Sequence, residues 1–108
     1  MPARWDRLAE ATAYGCRIHA GQVRKGTSIP YISHLMSVCA LVLEHGGNED
    51  MAIAGLLHDA IEDVGVEQEA VIFERFGPRV AHIVRACTDA EATLAGPEAS
   101  LYRASGPR

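Results

Sequence analysis

The feature that most constrains the fold of this chain is a run of seven small or apolar residues, MAIAGLL, at positions 51–57. A run without a polar face is typical of a helix that is buried on all sides. Its alanines and its few β-branched residues favour helix over strand. Asn48 suits the N-cap, and Glu49 and Asp50 then stand in the first turn, where the helix dipole favours acidic side chains.

The remaining hydrophobic pattern is also helical and predicts an all-α fold, a bundle of about five helices. Apolar residues recur three and four positions apart on both sides of the buried run, as they do in amphipathic helices. Gly46-Gly47 ends one such segment, and Gly77-Pro78 separates two others. The predicted helices cover residues 5–19, 31–44, 49–63, 67–76 and 79–88.

The length of 108 residues suits a single domain. We assign residues 1–89 to that domain and residues 90–108, which are rich in Ala, Gly and Pro, to a tail with at most one short helix. The net charge of −4 gives no general attraction to nucleic acid. The amino terminus lacks the apolar segment of a signal peptide, and no stretch is long enough for a membrane helix. We therefore expect a cytoplasmic protein without a nucleic-acid or membrane partner.

The cysteines and three of the five histidines are predicted to be structural. The cysteines are widely spaced among apolar neighbours, so we expect small buried side chains rather than metal ligands. The histidines lack a neighbouring ligand set, and one of them stands at a predicted helix end, where the dipole favours it. The residues left outside the predicted site for these reasons are Cys16, Cys39, Cys87, His19, His45 and His82.

Polar residues follow directly after the buried run. They supply one imidazole and three carboxylates, from His58, Asp59, Glu62 and Asp63. Burying an ionised carboxylate is costly unless it is paired, hydrogen-bonded or bound to a metal. Spacings of four place these side chains on two adjoining strips of one helical surface. A metal site and an ordinary solvated helix end are equally compatible with this segment alone.

His34 provides a second indication of a metal site, because it stands in the first turn of the second predicted helix. The tight link at residues 46–48 predicts an antiparallel hairpin between the second and third helices. Counting along this hairpin places His34 near His58 and Asp59. Two imidazoles and one carboxylate are a ligand set suited to Mn²⁺, Fe²⁺, Co²⁺ or Zn²⁺.

Two segments, KGTSIPYISH at 25–34 and AGLLHDAIED at 54–63, together carry a family resemblance. They resemble the HD superfamily, and in particular the RelA/SpoT-type hydrolase domain and its small stand-alone relatives. The resemblance extends from about Ala11 to Asp89. It implies a metal-dependent phosphohydrolase that removes the 3′-pyrophosphate of guanosine tetra- and pentaphosphate, with a small nucleotide as its partner.

The same resemblance implies residue roles and a cofactor. We expect a divalent metal, with Mn²⁺ as the first choice. The acidic pair would act on water, and the basic loop would approach substrate phosphates. The matching positions are His34, His58 and Asp59 for three metal ligands, Glu62 and Asp63 for the catalytic acidic pair, and Arg24 and Lys25 for the substrate phosphates.

The sequence departs from the family pattern at two places. The usual Pro after the first His is Leu35, and no segment matches the Leu-Ala-Asp-Lys-Leu-like stretch whose Asp is the fourth metal ligand. Asp89, Glu91 and Glu98 lie downstream, but their neighbours identify none of them as a substitute. We therefore expect an HD-like bundle truncated at its C-terminus, in which the metal site is weakened, completed by a partner or altered tail, or no longer active.

Three functions fit this pattern: a guanosine polyphosphate pyrophosphohydrolase, an inactive module that binds a nucleotide or a protein, and an HD-type nucleotide phosphomonoesterase. The helix that carries the fourth ligand covers core helices in the family, so its absence predicts an exposed apolar face. Burial of such a face favours a homo-oligomer, unless residues 94–102 fold back over it. The residues expected to contribute to this face are Ile53, Leu57, Ile83 and Val84.

Overall fold

The structure is a computed structural model that describes residues 5–90. Among these residues, β pairing is confined to one isolated antiparallel bridge between Val23 and Pro30, which confirms the predicted all-α class. None of the described helices is long and apolar enough to span a membrane. The helices are α1 (Asp6–Ile18), α2 (Tyr31–Glu44), α3 (Glu49–Leu57), α4 (Ala60–Asp63) and α5 (Gln68–Phe76), followed by α6 over residues 78–90.

Helix α3 lies at the centre of the fold, and both α1 and α2 pack against it. Five of its nine residues are buried, in agreement with its apolar sequence. The contact between α2 and α3 is close at Gly55, where a Cβ atom would lie 3.2 Å from Val42 Cγ2. Glycine at this position lets the two helices approach each other. The largest fully buried side chains are Leu35, Ile53, Leu56, Leu57, Ile72, Val80 and Val84.

The helix ends follow the predicted capping residues. Asn48 Oδ1 accepts a 2.9 Å hydrogen bond from a backbone N–H in the first turn of α3. Gly46 and Gly77, with φ of +88° and +100°, end α2 and α5 in a backbone conformation that other residues rarely adopt. The start of α3 is also tied to α1, because Glu49 Oε2 accepts a 3.0 Å hydrogen bond from the Leu8 N–H.

The third predicted helix is divided into α3 and α4. A turn at His58 and Asp59 separates the two segments, so the expectation of one continuous helical surface is wrong. His58 Nδ1 lies 2.7 Å from the Gly55 carbonyl oxygen and binds it at the end of α3. Asp59 has φ of −97° and ψ of 1°, a sparsely populated conformation that active-site residues often adopt. The polar pair therefore stands at a break in the helix.

The apolar face that was expected to be exposed is buried. Ile53, Leu57 and Val84 are 0% exposed, and Ile83 is half-buried against the core. For Ile53 and Leu57 the reason is that α1 and α2 already pack against α3. Formation of a homo-oligomer stays a prediction, without support from this face. The predicted tail beyond residue 90 lies outside the described residues.

The prediction for the cysteines is correct for one residue and wrong for two. Cys39 is buried, whereas Cys16 and Cys87 are exposed. Apolar neighbours along the sequence lie on other sides of an α-helix, because residues on one face are three or four positions apart. The outward orientation of these two thiols follows from that geometry.

Candidate metal centre

Three side chains, one from α2 and two from the turn after α3, converge at one end of the α2–α3 pair. His34 lies in the first turn of α2, while His58 and Asp59 form the turn after α3. One potential ligand atom from each residue lies within 4.8 Å of the other two, and the two imidazole rings are 5.9 Å apart. We call these residues the ligand cluster. The predicted hairpin of the second and third helices accounts for this convergence. The role in metal binding stays a prediction.

The hydrogen bond to Gly55 determines which nitrogen of His58 can bind a metal. A carbonyl oxygen only accepts, so Nδ1 carries the hydrogen and Nε2 is directed to the rest of the cluster. His58 Nε2 lies 3.2 Å from Asp59 Oδ2. In the neutral ring both of these atoms are acceptors, and a shared cation, either a proton or a metal ion, stabilises their approach. A histidine held by a backbone carbonyl is a common arrangement in metal sites.

Asp59 is a buried carboxylate, with 4% of its surface exposed. Such a group needs hydrogen bonds or a cation to offset the loss of water. The Tyr31 hydroxyl, also buried, donates a 2.5 Å hydrogen bond to Asp59 Oδ2. This hydroxyl fixes the orientation of the carboxylate.

The surroundings of His34 favour the form that a metal ligand requires. Burial lowers the pKa of its imidazole below the usual value, and Arg24 and His58 lower this pKa further, while Asp59 and Asp63 act in the opposite direction. The neutral ring is the form that binds a metal ion. The same interactions show that Arg24 and Asp63 are close enough to the ligand cluster to influence its charge.

The remaining predicted site residues lie in α4 and in the loop between α1 and α2, and they differ in burial. Glu62 and Asp63 are half-buried in α4, which begins directly after Asp59. Arg24 is half-buried and Lys25 is exposed in the loop between α1 and α2. Within this loop, the Arg24 N–H donates a 2.9 Å hydrogen bond to the Ile29 carbonyl. Arg24 and Asp63 thus act electrostatically on His34, whereas the roles of these four residues in catalysis and substrate binding stay predictions.

Downstream acidic residues do not join the cluster within residues 5–90. The candidate group for metal binding in this part of the chain contains His34, His58 and Asp59. Asp89 Oδ1 instead lies 3.7 Å from Arg85 Nε, one turn earlier on α6. Glu91 and Glu98 lie outside the described residues.

Three residues that contact or support the site were not predicted from the sequence. Tyr31 binds Asp59, and its position three residues before His34 on α2 was the available signal. Gln22 donates a 3.2 Å hydrogen bond from Nε2 to Asp63 Oδ2. His19, predicted to be a packing or surface residue, is buried and lies 2.8 Å from Gln22 Oε1 through Nδ1. No periodicity rule identifies these last two residues, because they belong to a helix end and a loop.

The other two excluded histidines have the expected structural positions. His45 is exposed at the end of α2, where its Nδ1 lies 2.8 Å from the Leu41 carbonyl oxygen. His82 is exposed on α6. Both lie outside the ligand cluster, as predicted.

Known proteins similar to this chain share the segment that forms the site. A guanosine-3′,5′-bis(diphosphate) 3′-pyrophosphohydrolase of Aquifex aeolicus is 38% identical over 87 residues, which are 81% of this chain and 12% of that protein. A GTP pyrophosphokinase of Myxococcus xanthus is 37% identical over 83 residues, 77% of this chain and 11% of that protein. The chain therefore spans about a tenth of the length of these curated relatives.

A solved structure and a family model agree with these similarities. The structure belongs to a metazoan ortholog of SpoT described as hydrolysing ppGpp, with a TM-score of 0.68, 28% identity, and coverage of 79% of this chain and 48% of that one. The matches confirm the resemblance to RelA/SpoT-type proteins. A model described as HD domain matches residues 11–99. The chain therefore belongs to the HD domain family.

Proposed function

We propose that this chain is a metal-dependent phosphohydrolase that removes the 3′-pyrophosphate from a guanosine polyphosphate. The observation that carries the proposal is the ligand cluster of His34, His58 and Asp59, in which one ligand atom from each residue lies within 4.8 Å of the others. The acidic pair of Glu62 and Asp63 follows within one helical turn. The names of the Aquifex aeolicus relative and of the metazoan structure support the substrate class.

The donor atoms of the cluster fit a divalent cation. Neutral imidazole nitrogen and carboxylate oxygen together suit Mn²⁺, Fe²⁺, Co²⁺ and Zn²⁺. The 3.2 Å approach of His58 Nε2 to Asp59 Oδ2 is also one that a cation stabilises. When bound, the metal would act as a Lewis acid on a phosphoryl oxygen and increase the acidity of water. We propose Mn²⁺ as the cofactor, held by these three residues.

The acidic pair would assist the transfer of a proton from the attacking water. Hydrolysis adds water across a P–O bond, so one group must accept a proton from the water as it attacks. Glu62 is the proposed base, because it stands in α4 three residues after Asp59. Asp63, at the end of α4, would orient the same water or a group that is bound to the substrate phosphates. The bond between the attacked phosphorus and the ribose 3′-oxygen breaks, and the 3′-oxygen takes up a proton. The products are therefore guanosine 5′-diphosphate, or the 5′-triphosphate, and free pyrophosphate.

The loop between α1 and α2 would bind the pyrophosphate group that is transferred to water. Arg24 is half-buried and close enough to His34 to lower the pKa of that imidazole. Its guanidinium can bind phosphate oxygens in a bidentate manner. Lys25 would add a second positive charge from the exposed side of the same loop. The positive charges would stabilise the negative charge on the pyrophosphate oxygens while water attacks phosphorus and the ribose 3′-oxygen leaves.

The proposal is tested by incubating the purified chain with guanosine 3′,5′-bis(diphosphate) and Mn²⁺ and measuring pyrophosphate and GDP. GDP itself is the matched control, because it lacks the 3′-pyrophosphate. We expect pyrophosphate release that requires Mn²⁺ and stops on addition of a chelator. Release of inorganic phosphate from nucleoside monophosphates instead would favour the phosphomonoesterase. Saturable nucleotide binding without turnover would contradict the proposal and favour the inactive module.

A further inference from the structure

A short series of side-chain hydrogen bonds connects the buried His19 to Asp63. His19 Nδ1 lies 2.8 Å from Gln22 Oε1. Gln22 Nε2 donates a 3.2 Å hydrogen bond to Asp63 Oδ2. His19 is the residue after α1 and is 2% exposed. The series therefore joins the end of α1, the following loop and the last residue of α4.

The chemistry of these groups fixes the direction of each hydrogen bond. An ionised carboxylate only accepts, so the NH₂ group of Gln22 must face Asp63. The carbonyl oxygen of Gln22 then faces His19 and also only accepts, so His19 Nδ1 must carry a hydrogen. The opposite orientation of the amide would place its oxygen against the carboxylate of Asp63. His19 in its Nδ1–H form therefore selects the amide orientation that binds Asp63.

The backbone around Gln22 is tied to the other side of the ligand cluster. The Tyr31 N–H donates a 2.8 Å hydrogen bond to the Gln22 carbonyl, and the Gln22 N–H donates one of 3.0 Å to the His19 carbonyl. The rings of His19 and Tyr31 are 5.6 Å apart. Because the Tyr31 hydroxyl binds Asp59, one segment of backbone supports contacts to both a cluster carboxylate and the acidic pair.

We propose that Gln22 is a positioning residue for Asp63 and that His19 sets the direction of its amide. Asp63 is the last residue of α4, a helix of four residues. So short a helix has little stability of its own and needs outside contacts to hold its side chains in place. Gln22 supplies such a contact from the loop that also carries Arg24. The inference rests on the proposed function, since it concerns a residue of the proposed acidic pair.

The first test needs no activity. Nitrogen-15 spectra of the wild-type protein distinguish the two neutral forms of a histidine ring, and a His19→Gln variant assigns the signals of residue 19. We expect His19 in the Nδ1–H form, and we expect Gln22→Met to abolish that preference by removing the acceptor. A wild-type His19 protonated at Nε2 alone would overturn the proposed direction of the hydrogen bonds and the inference with it.

The second test is a double-mutant cycle on pyrophosphate release. Gln22→Met should lower kcat about 10- to 100-fold, the usual effect of an outer-shell partner, and should change KM less than about two-fold. In an Asp63→Asn background the same change should cost less than about two-fold, because Gln22 acts through Asp63. Equal losses in both backgrounds would overturn the inference.

The other glutamine of the chain provides the matched control. Gln68 on α5 accepts a hydrogen bond from Tyr14 and has no part in the proposed site. Gln68→Met should leave kcat within about two-fold of the wild type. A wild-type protein without turnover would contradict the proposed function. In that case the position of the hydrogen on the His19 ring would still test the proposed hydrogen bonds. Failure of the function and failure of the inference are therefore distinguishable.

Discussion

The Tyr31 hydroxyl lies 2.5 Å from Asp59 Oδ2, so the first turn of α2 is bound directly to the turn that follows α3. Both residues are buried, with 2% and 4% of their surfaces exposed. A charged acceptor makes a stronger hydrogen bond than a neutral one, and burial protects it from competition with water. This bond therefore holds one cluster carboxylate in a single orientation.

Loss of this hydrogen bond should weaken metal binding. We expect Tyr31→Phe to raise the Kd for Mn²⁺ about 10- to 100-fold, because Asp59 would lose the group that orients it. Titration calorimetry measures the change. Tyr14→Phe is the control, since Tyr14 is a second buried tyrosine whose hydroxyl binds Gln68 rather than the cluster. Equal affinities of the two variants would contradict a role for Tyr31 in the site.

The helices and the convergence of the cluster could be predicted because they depend on local patterns. The apolar run at 51–57, the glycines after α2 and α5, and Asn48 determine where the helices lie. A hairpin of two helices then places His34 beside His58 by length alone. These features need no knowledge of side-chain contacts.

The break at His58 and the contacts of Gln22 could not be predicted in this way. The break coincides with a side-chain bond from His58 to the Gly55 carbonyl, and nothing in the hydrophobic period indicates either feature. Gln22 reaches Asp63 across 41 positions of sequence, a distance in the chain at which periodicity carries no information. Burial of Ile53, Leu57 and Val84 likewise depends on how the helices pack together.

Glu62 should be essential for turnover. Glu62→Gln keeps the shape of the side chain but removes the base, so we expect kcat to fall at least about 100-fold while folding and Mn²⁺ affinity are retained. Pyrophosphate release at saturating substrate measures the effect. Glu74→Gln makes the same change on the exposed side of α5 and should leave kcat unaltered. Unchanged turnover in Glu62→Gln would exclude this residue as the base.

Metal binding should raise the thermal stability of the protein. A ligand at about 100 times its Kd stabilises the folded state by about 2.7 kcal/mol, which corresponds to a rise in Tm of roughly 10 °C or more for a domain of this size. Thermal unfolding with Mn²⁺ or with a chelator measures the difference. His34→Ala should abolish it, whereas His82→Ala, at an exposed position on α6, should retain it. A shift of equal size in both variants would place the metal elsewhere.

The N-cap of α3 should contribute to folding. Asn48→Ala removes the acceptor for the Met51 N–H, so we expect the free energy of unfolding to fall by about 1 kcal/mol. Denaturation in urea measures this change. Ser37→Ala removes an exposed hydrogen bond to the Ser33 carbonyl within α2 and is the control, with an expected change within about 0.5 kcal/mol. An equal loss in both variants would show that the position at the helix end has no special importance.

The three cysteines should react at two distinct rates. Cys39 is buried in α2, and burial raises the pKa of its thiol, so it is both inaccessible and protonated when the protein is folded. Cys16 and Cys87 are exposed. A chromogenic disulfide reagent at pH 8 should therefore modify two thiols rapidly and the third only as fast as the protein opens, because the thiolate is the reactive form. Cys39→Ala should remove the slow phase, and Cys16→Ser should remove half of the fast one. Three equal rates in the folded protein would contradict the packing of α2 against α3, which encloses Cys39.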